Sequence, residues 1–363
     1  MTMVDPSSTP TTSDLVVISS AKIRHSNTQV SGEGMWKQQA LLLLFFAHRA
    51  VSSFDVVGWY VGDNFTDWPL SDLRWDIYST IRFGEVQTAE DGTCTAPDDA
   101  AFAQMLSAAR AHNRTLTLGP GINVWGCVHN ASLAAYCKKY TATVGAAVRS
   151  LGPGIAGVEF DYECPPTAAG HAGIVSKAEA RAFTQLLDGV QRSMGSGYTV
   201  GADVGPWGVS HGSYPLGLTP WVDKDLMALN PALFVNTMSY HAPKDCGIAP
   251  WQKDALDIHN LWGLSKSQIN IGINYFSFNL SGFEKIVGEP TWHTLGEHCP
   301  NVDEGTCICD GIGFVSKNQN YEIGKFVRKH GFRGLFPWAA NYDAFANNSL
   351  IAYAGRGLGI SDT

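Results

Sequence analysis

Gly157-Val158-Glu159-Phe160-Asp161-Tyr162-Glu163 sets a carboxylate at every second residue and runs into Cys164-Pro165-Pro166. Side chains alternate faces along an extended strand, so Glu159, Asp161 and Glu163 share one face while Val158, Phe160 and Tyr162 share the other. A solvated edge strand would mix its charges and would not carry large apolar residues between them. With Ile155 leading in, the segment reads as a strand buried on both faces, as in parallel sheets. Like charges stacked in a buried row raise one another's pKa and must share protons.

Outward from this strand, apolar β-type runs alternate with helical segments from about residue 54, the pattern of a parallel sheet with helical crossovers. Strands are expected near Val56 to Val61, Ser79 to Val86, Leu116 to Gly119, Ile155 to Glu163, Tyr198 to Val204, Leu233 to Tyr240, Ile269 to Tyr275 and Gly334 to Trp338. Helices are expected over Asp98 to Ala111, Leu133 to Ser150 and Tyr321 to Lys329, with another opened by the capping box Ser176-Lys177-Ala178-Glu179. Eight strand and helix pairs favour an α/β fold of the closed (β/α)8 TIM-barrel type over an open doubly wound sheet. No G-x-G-x-x-G follows Val61. The stretch from Asn279 to Lys317 carries Cys299, Cys307 and Cys309 and no clear barrel element. It is expected to be a disulfide-containing insertion after strand seven, on the face where such barrels hold their active sites.

At 363 residues, 45% hydrophobic and 16% charged, the chain can bury a large core. A net charge of −8 without clustered Lys and Arg excludes a nucleic-acid surface and suits a neutral ligand better. Residues 1–34 are rich in Ser and Thr and show no sustained period, so they are read as disordered or as a gene-model extension. Met35-Trp36-Lys37, the apolar run Ala40 to Ala47 and the small residues Ala50-Val51-Ser52-Ser53 then have the three-part layout of a secretory signal peptide. That run is too short to span a bilayer. A signal peptide over 35–53, with Met35 as the start, and a single domain over 54–363 are therefore expected. The eight cysteines are scattered rather than set at zinc-ligand spacing, and Cys307-Ile308-Cys309 has no second cluster. Three or four disulfides are expected, their connectivity open, and no metal. Asn-x-Ser/Thr acceptors at Asn64, Asn113, Asn130, Asn279 and Asn347 fit a secreted glycoprotein.

Catalytic groups of a (β/α)8 barrel sit at the C-terminal ends of its strands, and Glu163 ends the fourth where Cys164-Pro165-Pro166 breaks it. Burial over Asp161 and Glu159 would raise its pKa, keeping it protonated near neutral pH and able to donate. Residues 157–163 resemble the D-G-x-D-x-D-x-E signature of family 18 glycoside hydrolases, the chitinases and their relatives. Two further stretches fall in that family's order. Met238-Ser239-Tyr240-His241, ending the sixth strand, resembles M-x-Y-D. Gly334-Leu335-Phe336-Pro337-Trp338 with Asn341-Tyr342-Asp343 resembles the eighth-strand segment carrying a substrate-stacking Trp. The likeness spans about residues 54 to 355.

The resemblance implies a substrate-assisted, retaining reaction without cofactor, an exception to the usual two-carboxylate scheme. Glu163 would protonate the glycosidic oxygen while the substrate's own 2-acetamido oxygen attacks the anomeric carbon. Asp161 would hold the acetamido N–H, with Glu159 behind it in the carboxylate relay. Tyr240 would aim the acetamido oxygen, and Trp338 would floor the reacting sugar. Tyr60, Trp125 and Trp207, with Trp59, lie near strand ends and could extend a sugar-stacking groove; His241 is a further substrate-binding candidate. The chain departs from the family at three places. Its first Asp is Ala156, its second is Glu159, and its M-x-Y-D ends in His241, which adds a group titrating near neutral pH. Thr117-Leu118-Gly119-Pro120 only loosely matches the family's third-strand S-x-G-G.

The expected protein is thus a secreted, monomeric glycosidase acting on chitin, chito-oligosaccharides or another N-acetylglucosamine-containing glycan. It binds no nucleic acid and has no stable membrane span. The alternative is a chitinase-like lectin that binds chito-oligosaccharides without turnover. A conventional two-carboxylate glycosidase would need a second carboxylate facing Glu163, for which Asp203 is the one candidate.

Overall fold

The computed structural model describes residues 54–360, apart from 64, 67, 163–175, 206–219, 243–244, 281–283, 286–290, 293, 296–298, 300–301 and 345–347. The expected leader over 35–53, Glu163, Cys164 and Trp207 lie outside the described residues.

Eight parallel strands close into a barrel: β1 (Asp55–Trp59), β2 (Thr80–Glu85), β3 (Thr115–Gly119), β4 (Ile155–Asp161), β5 (Thr199–Val204), β6 (Leu233–Thr237), β7 (Ile269–Asn274) and β8 (Gly334–Trp338). Each pairs with its sequence neighbours, and β1 closes the ring against β8. The described helices are α1 (Ala100–Ala111), α2 (Val124–His129), α3 (Ala134–Ser150), α4 (Lys177–Met194), α5 (Lys224–Leu229), α6 (Ala249–Trp262), α7 (Lys317–His330) and α8 (Leu350–Leu358).

Strand alternation sorts the side chains. In β7, Ile269, Ile271 and Ile273 join the apolar core, while Asn270 on the opposite face reaches Asn236 inside the barrel. In β4, Val158 and Phe160 are fully buried, Phe160 meeting Phe183 of α4 edge-on at 6.3 Å. Burying such a side chain contributes about 1.5–3 kcal/mol. Glu159 and Asp161 take the inner face. Gly201 of β5 keeps room beside them, because a Cβ there would lie 2.8 Å from Glu159 Cγ and 2.7 Å from Phe234.

Expected strands three, four and six run differently at their ends: β3 begins at Thr115, β4 leaves the ladder after Asp161, and β6 after Thr237. Met238 to Tyr240 continue as irregular chain, with Tyr240 N–H donating to Met238 C=O at 2.9 Å. The expected capping box at Ser176 is made in part. Ser176 Oγ accepts the Glu179 N–H at 3.2 Å, but the Glu179 carboxylate sits 2.9 Å from His129 Nε2. A complete box opens α7 instead, where Ser316 and Gln319 cap each other reciprocally. That start lies upstream of the Tyr321 expected from sequence.

After β7 the chain builds a four-stranded antiparallel sheet in the order Glu284–Lys285, Phe278–Asn279, Ile312–Gly313, Ile308–Cys309. Disulfide Cys299–Cys309 staples it, and Cys246–Cys307 ties it to the loop after β6. A third disulfide, Cys127–Cys137, braces α2 against α3. Cys94 is a buried free thiol. Among the described residues no helix is long and apolar enough to cross a membrane.

Candidate active site

The barrel register sets the inner polar groups side by side. Asp161 of β4 lies opposite Asp203 of β5, Asp203 opposite Asn236 of β6, and Asn236 opposite Asn270 of β7. Asn236 Nδ2 donates to Glu159 Oε2 at 3.0 Å and to Asp203 Oδ1 at 2.8 Å, while its Oδ1 accepts from Asn270 Nδ2 at 2.9 Å. From the other side, Thr117 Oγ1 of β3 donates to Glu159 Oε1. Glu159, Asp203, Asn236 and Asn270 are all buried, whereas Asp161 is exposed at the strand end. The row therefore climbs from a sealed, hydrogen-bonded base to an open mouth.

Burial is the first force on this row. It raises the Glu159 carboxyl above its ordinary value, against hydrogen bonds from Thr117 and Asn236 and the Arg82 charge, which pull down. Asp203 is pushed well above the carboxylate range by burial and then by the charges of Asp161 and Glu159. Burial thus disfavours the charged form of both carboxyls, and the neighbouring carboxylates add to this at Asp203. The two-carboxylate alternative turns on Asp203 facing Glu163, which lies outside the described residues; Asp203 itself is 1% exposed and accepts from Asn236.

Arg82 of β2 enters the same interior. Its guanidinium lies 4.4 Å over the Trp59 ring and 3.9 Å from the Glu85 carboxylate. Gly119 of β3 makes way for it, since a Cβ there would come within 2.3 Å of an Arg82 nitrogen. Trp59, Arg82, Glu85, Thr88, Gly121 and Asp161 line an open cleft of about 660 Å³ at the mouth.

At the ends of β6 and β8, Tyr240 and Trp338 come together with ring centroids 6.2 Å apart. Phe276 meets both edge-on, at 5.6 Å from Tyr240 and 5.3 Å from Trp338, and Tyr342 meets Trp338 at 5.6 Å. Phe276 is buried beneath, while Tyr240, Trp338 and Tyr342 are half-buried, so one face of an aromatic corner stays open.

His241 turns away from this corner. Its Nε2 lies 2.7 Å from the fully buried Asp254 of α6, and its ring packs on Trp251 at 5.2 Å. The buried carboxylate and indole on the helix outcompete the cleft for this imidazole. Tyr60 is likewise a packing residue. It is 5% exposed, sits among Phe65 and Phe83, and donates its hydroxyl to Trp68 C=O at 2.5 Å. Trp125 is 45% exposed on α2, leaning on His129 at 5.2 Å. Glu163 and Trp207 fall outside the described residues. Among the described residues, no three His, Cys, Asp or Glu side chains are grouped to hold a metal ion.

Thr117, Asp203, Asn236, Asn270 and Arg82 complete the interior beyond what the carboxylate row alone indicates. For all but Asn236 the signal is a polar residue between apolar ones, as in Ile81-Arg82-Phe83 and Ile269-Asn270-Ile271.

The sequence matches no family model and no curated protein. Its fold does match solved structures. A chitinase from Bacteroides thetaiotaomicron superposes with a TM-score of 0.62 at 16% identity, over 85% of this chain and 98% of that one. A chitinase from Rhizomucor miehei gives 0.61 at 14% identity, over 83% and 99%. A family 18 N-acetylglucosaminidase from Paenibacillus barengoltzii gives 0.57 at 15%, over 84% and 99%. This chain therefore has the barrel fold of those glycosidases along nearly their whole length.

Proposed function

We propose that the protein is a retaining glycosidase that cleaves β-1,4-linked N-acetylglucosamine in chitin, chito-oligosaccharides or related glycans, using the substrate's acetamido group as nucleophile. The observation that carries this reading is the row Glu159–Asp161. It rises from a hydrogen-bonded interior to an exposed carboxylate at the mouth of a cleft. In the reaction, Asp161 accepts the acetamido N–H, which turns the carbonyl oxygen toward the anomeric carbon. Glu159, held by Thr117 and Asn236, and Asp203, whose carboxyl is raised by burial, set the charge felt by Asp161. Tyr240 donates its hydroxyl to the acetamido oxygen, and Trp338 packs under the sugar ring. Glu163, two residues beyond Asp161, supplies the proton to the leaving oxygen and then activates water against the oxazolinium ion. Preorganised groups of this kind stabilise charge that develops in the transition state.

The fold shared with chitinases supports the reading, as does the Tyr240–Trp338 corner. Three disulfides among the described residues also suit export. The test compares fluorophore release from a chitotriose glycoside and from the matching cellotriose glycoside, which lacks acetamido groups. Turnover of the first alone is expected. Equal turnover of both would remove the acetamido nucleophile. Binding of chitotriose without turnover would make the protein a lectin.

A further inference from the structure

Tyr162 stands between Asp161 and Glu163 and points the other way, out of the barrel. There it is 3% exposed, and its ring packs on Phe183 of α4 at 4.9 Å. Its hydroxyl oxygen lies 3.0 Å from His129 Nε2, and the same nitrogen lies 2.9 Å from Glu179 Oε1. A carboxylate only accepts, so Nε2 carries the proton and shares it between the Glu179 oxygen and the Tyr162 oxygen. Glu179 is itself 7% exposed, in the first turn of α4, where the helix dipole favours a negative charge. His129 is the last residue of α2, a six-residue helix pinned to α3 by Cys127–Cys137. Three separate elements thus converge on one side chain at the end of β4.

We infer that Glu179, His129 and Tyr162 form a positioning unit that fixes the end of β4 and so holds the Asp161 carboxylate, one residue before Tyr162, at its working geometry. β4 leaves the sheet ladder after Asp161, so a constraint on Tyr162, the next residue, bears directly on the strand end. The outward anchor supplies that constraint. Sub-ångström errors in acid–base geometry weigh heavily on rate, and this is the dependence that a rigid anchor addresses.

The inference rests on the glycosidase reading for its consequence, but not for its geometry. The experiment therefore measures two quantities on the full chain with its disulfides intact. Amide hydrogen exchange of residues 158–162 reads the anchor directly; kcat and KM on a chitotriose glycoside read its effect. His129→Ala and Tyr162→Phe are expected to speed exchange at these amides by about 10-fold, with the other strands unchanged. They are also expected to lower kcat by roughly 10- to 100-fold with KM within about twofold. His129→Gln, whose amide nitrogen can stand where Nε2 stands, recovers part of both. Unchanged exchange at 158–162 would overturn the anchor. Faster exchange throughout the barrel, or local loosening with full kcat, would overturn a positioning role. If the wild-type protein turns over no N-acetylglucosaminide, the proposed function fails, while the exchange result still decides the anchor.

Discussion

Replacing Asn236 by Leu should destabilise the protein by an amount that grows with pH. The amide donates to Glu159 at 3.0 Å and Asp203 at 2.8 Å and accepts from Asn270 at 2.9 Å, all in buried surroundings. Hydrogen bonds to charged partners contribute about 1.5–3 kcal/mol each, and the stranded Asn270 donor costs about 1–3 kcal/mol more. The sum is about 4–9 kcal/mol where both carboxyls are ionised. It is discounted to roughly 3–5 kcal/mol, because burial favours the neutral form of both carboxyls and hydrogen bonds to neutral partners contribute less. Both folded-state pKa values stand above their ordinary values of 4.5 and 3.8, and losing Asn236 raises them further. A raised folded-state pKa gives stability that is complete below the unfolded value and lost as pH climbs through the folded value. The deficit of Asn236→Leu should therefore be smaller at pH 5 than at pH 8. Urea unfolding of wild type and variant at the two pH values measures it. A deficit under about 1 kcal/mol at both, or one larger at pH 5, would refute the shared-donor account.

Gly201→Ala should cost about 1–3 kcal/mol by overpacking and should also lower activity, because its Cβ would press on Glu159 Cγ and Phe234; a thermal midpoint equal to wild type would contradict the close approach. Asp343 accepts from Ala344, Leu350 and Ile351 N–H and from the Ser349 hydroxyl, yet burial pushes its carboxyl up to about 6. Against an unfolded value of 3.8, the protonated form gives about 3 kcal/mol of stability that is complete below pH 3.8 and lost as pH rises through 6. Asp343→Asn should remove that pH dependence of unfolding, and an unchanged profile would assign it to another group. Cys246–Cys307 closes a 61-residue separation and Cys127–Cys137 one of 10. On chain entropy alone, removing the first should cost about 4 kcal/mol and the second about 3 kcal/mol, measured by guanidinium unfolding of paired Cys→Ala variants. A larger loss from the second would point to strain or residual structure instead.

The barrel was legible because its strands carry their burial in their composition. Ile155 to Phe160, Leu233 to Val235 and Ile269 to Ile273 are apolar enough to stand only inside a parallel sheet. The carboxylate row was legible for the same reason, since period two fixes which residues share a face. Strand ends were less so: Met238 and Tyr240 keep an apolar and aromatic alternation after the ladder stops, and hydrogen bonding rather than composition ends β6. His241 shows where pattern reasoning runs out. Its position in an M-x-Y-x stretch places it at the cleft, but Asp254 and Trp251, thirteen and ten residues later on α6, draw it outward. Tyr60 went the same way, toward Trp68 and the Phe65–Phe83 cluster. The hydrogen bonds among Thr117, Glu159, Asn236 and Asp203 join four strands, and no single segment announces them. The alternation Ile269-Asn270-Ile271-Gly272-Ile273-Asn274 does carry the hint of a polar barrel interior.

The most direct test of the central claim is the initial rate of fluorophore release from a chitotriose glycoside by the full chain and by Glu163→Gln, with chitotriose binding measured for both. The account predicts turnover by the wild type and none by Glu163→Gln, with binding kept by both. Turnover that survives Glu163→Gln, or a wild type that binds the sugar and never cleaves it, would contradict it.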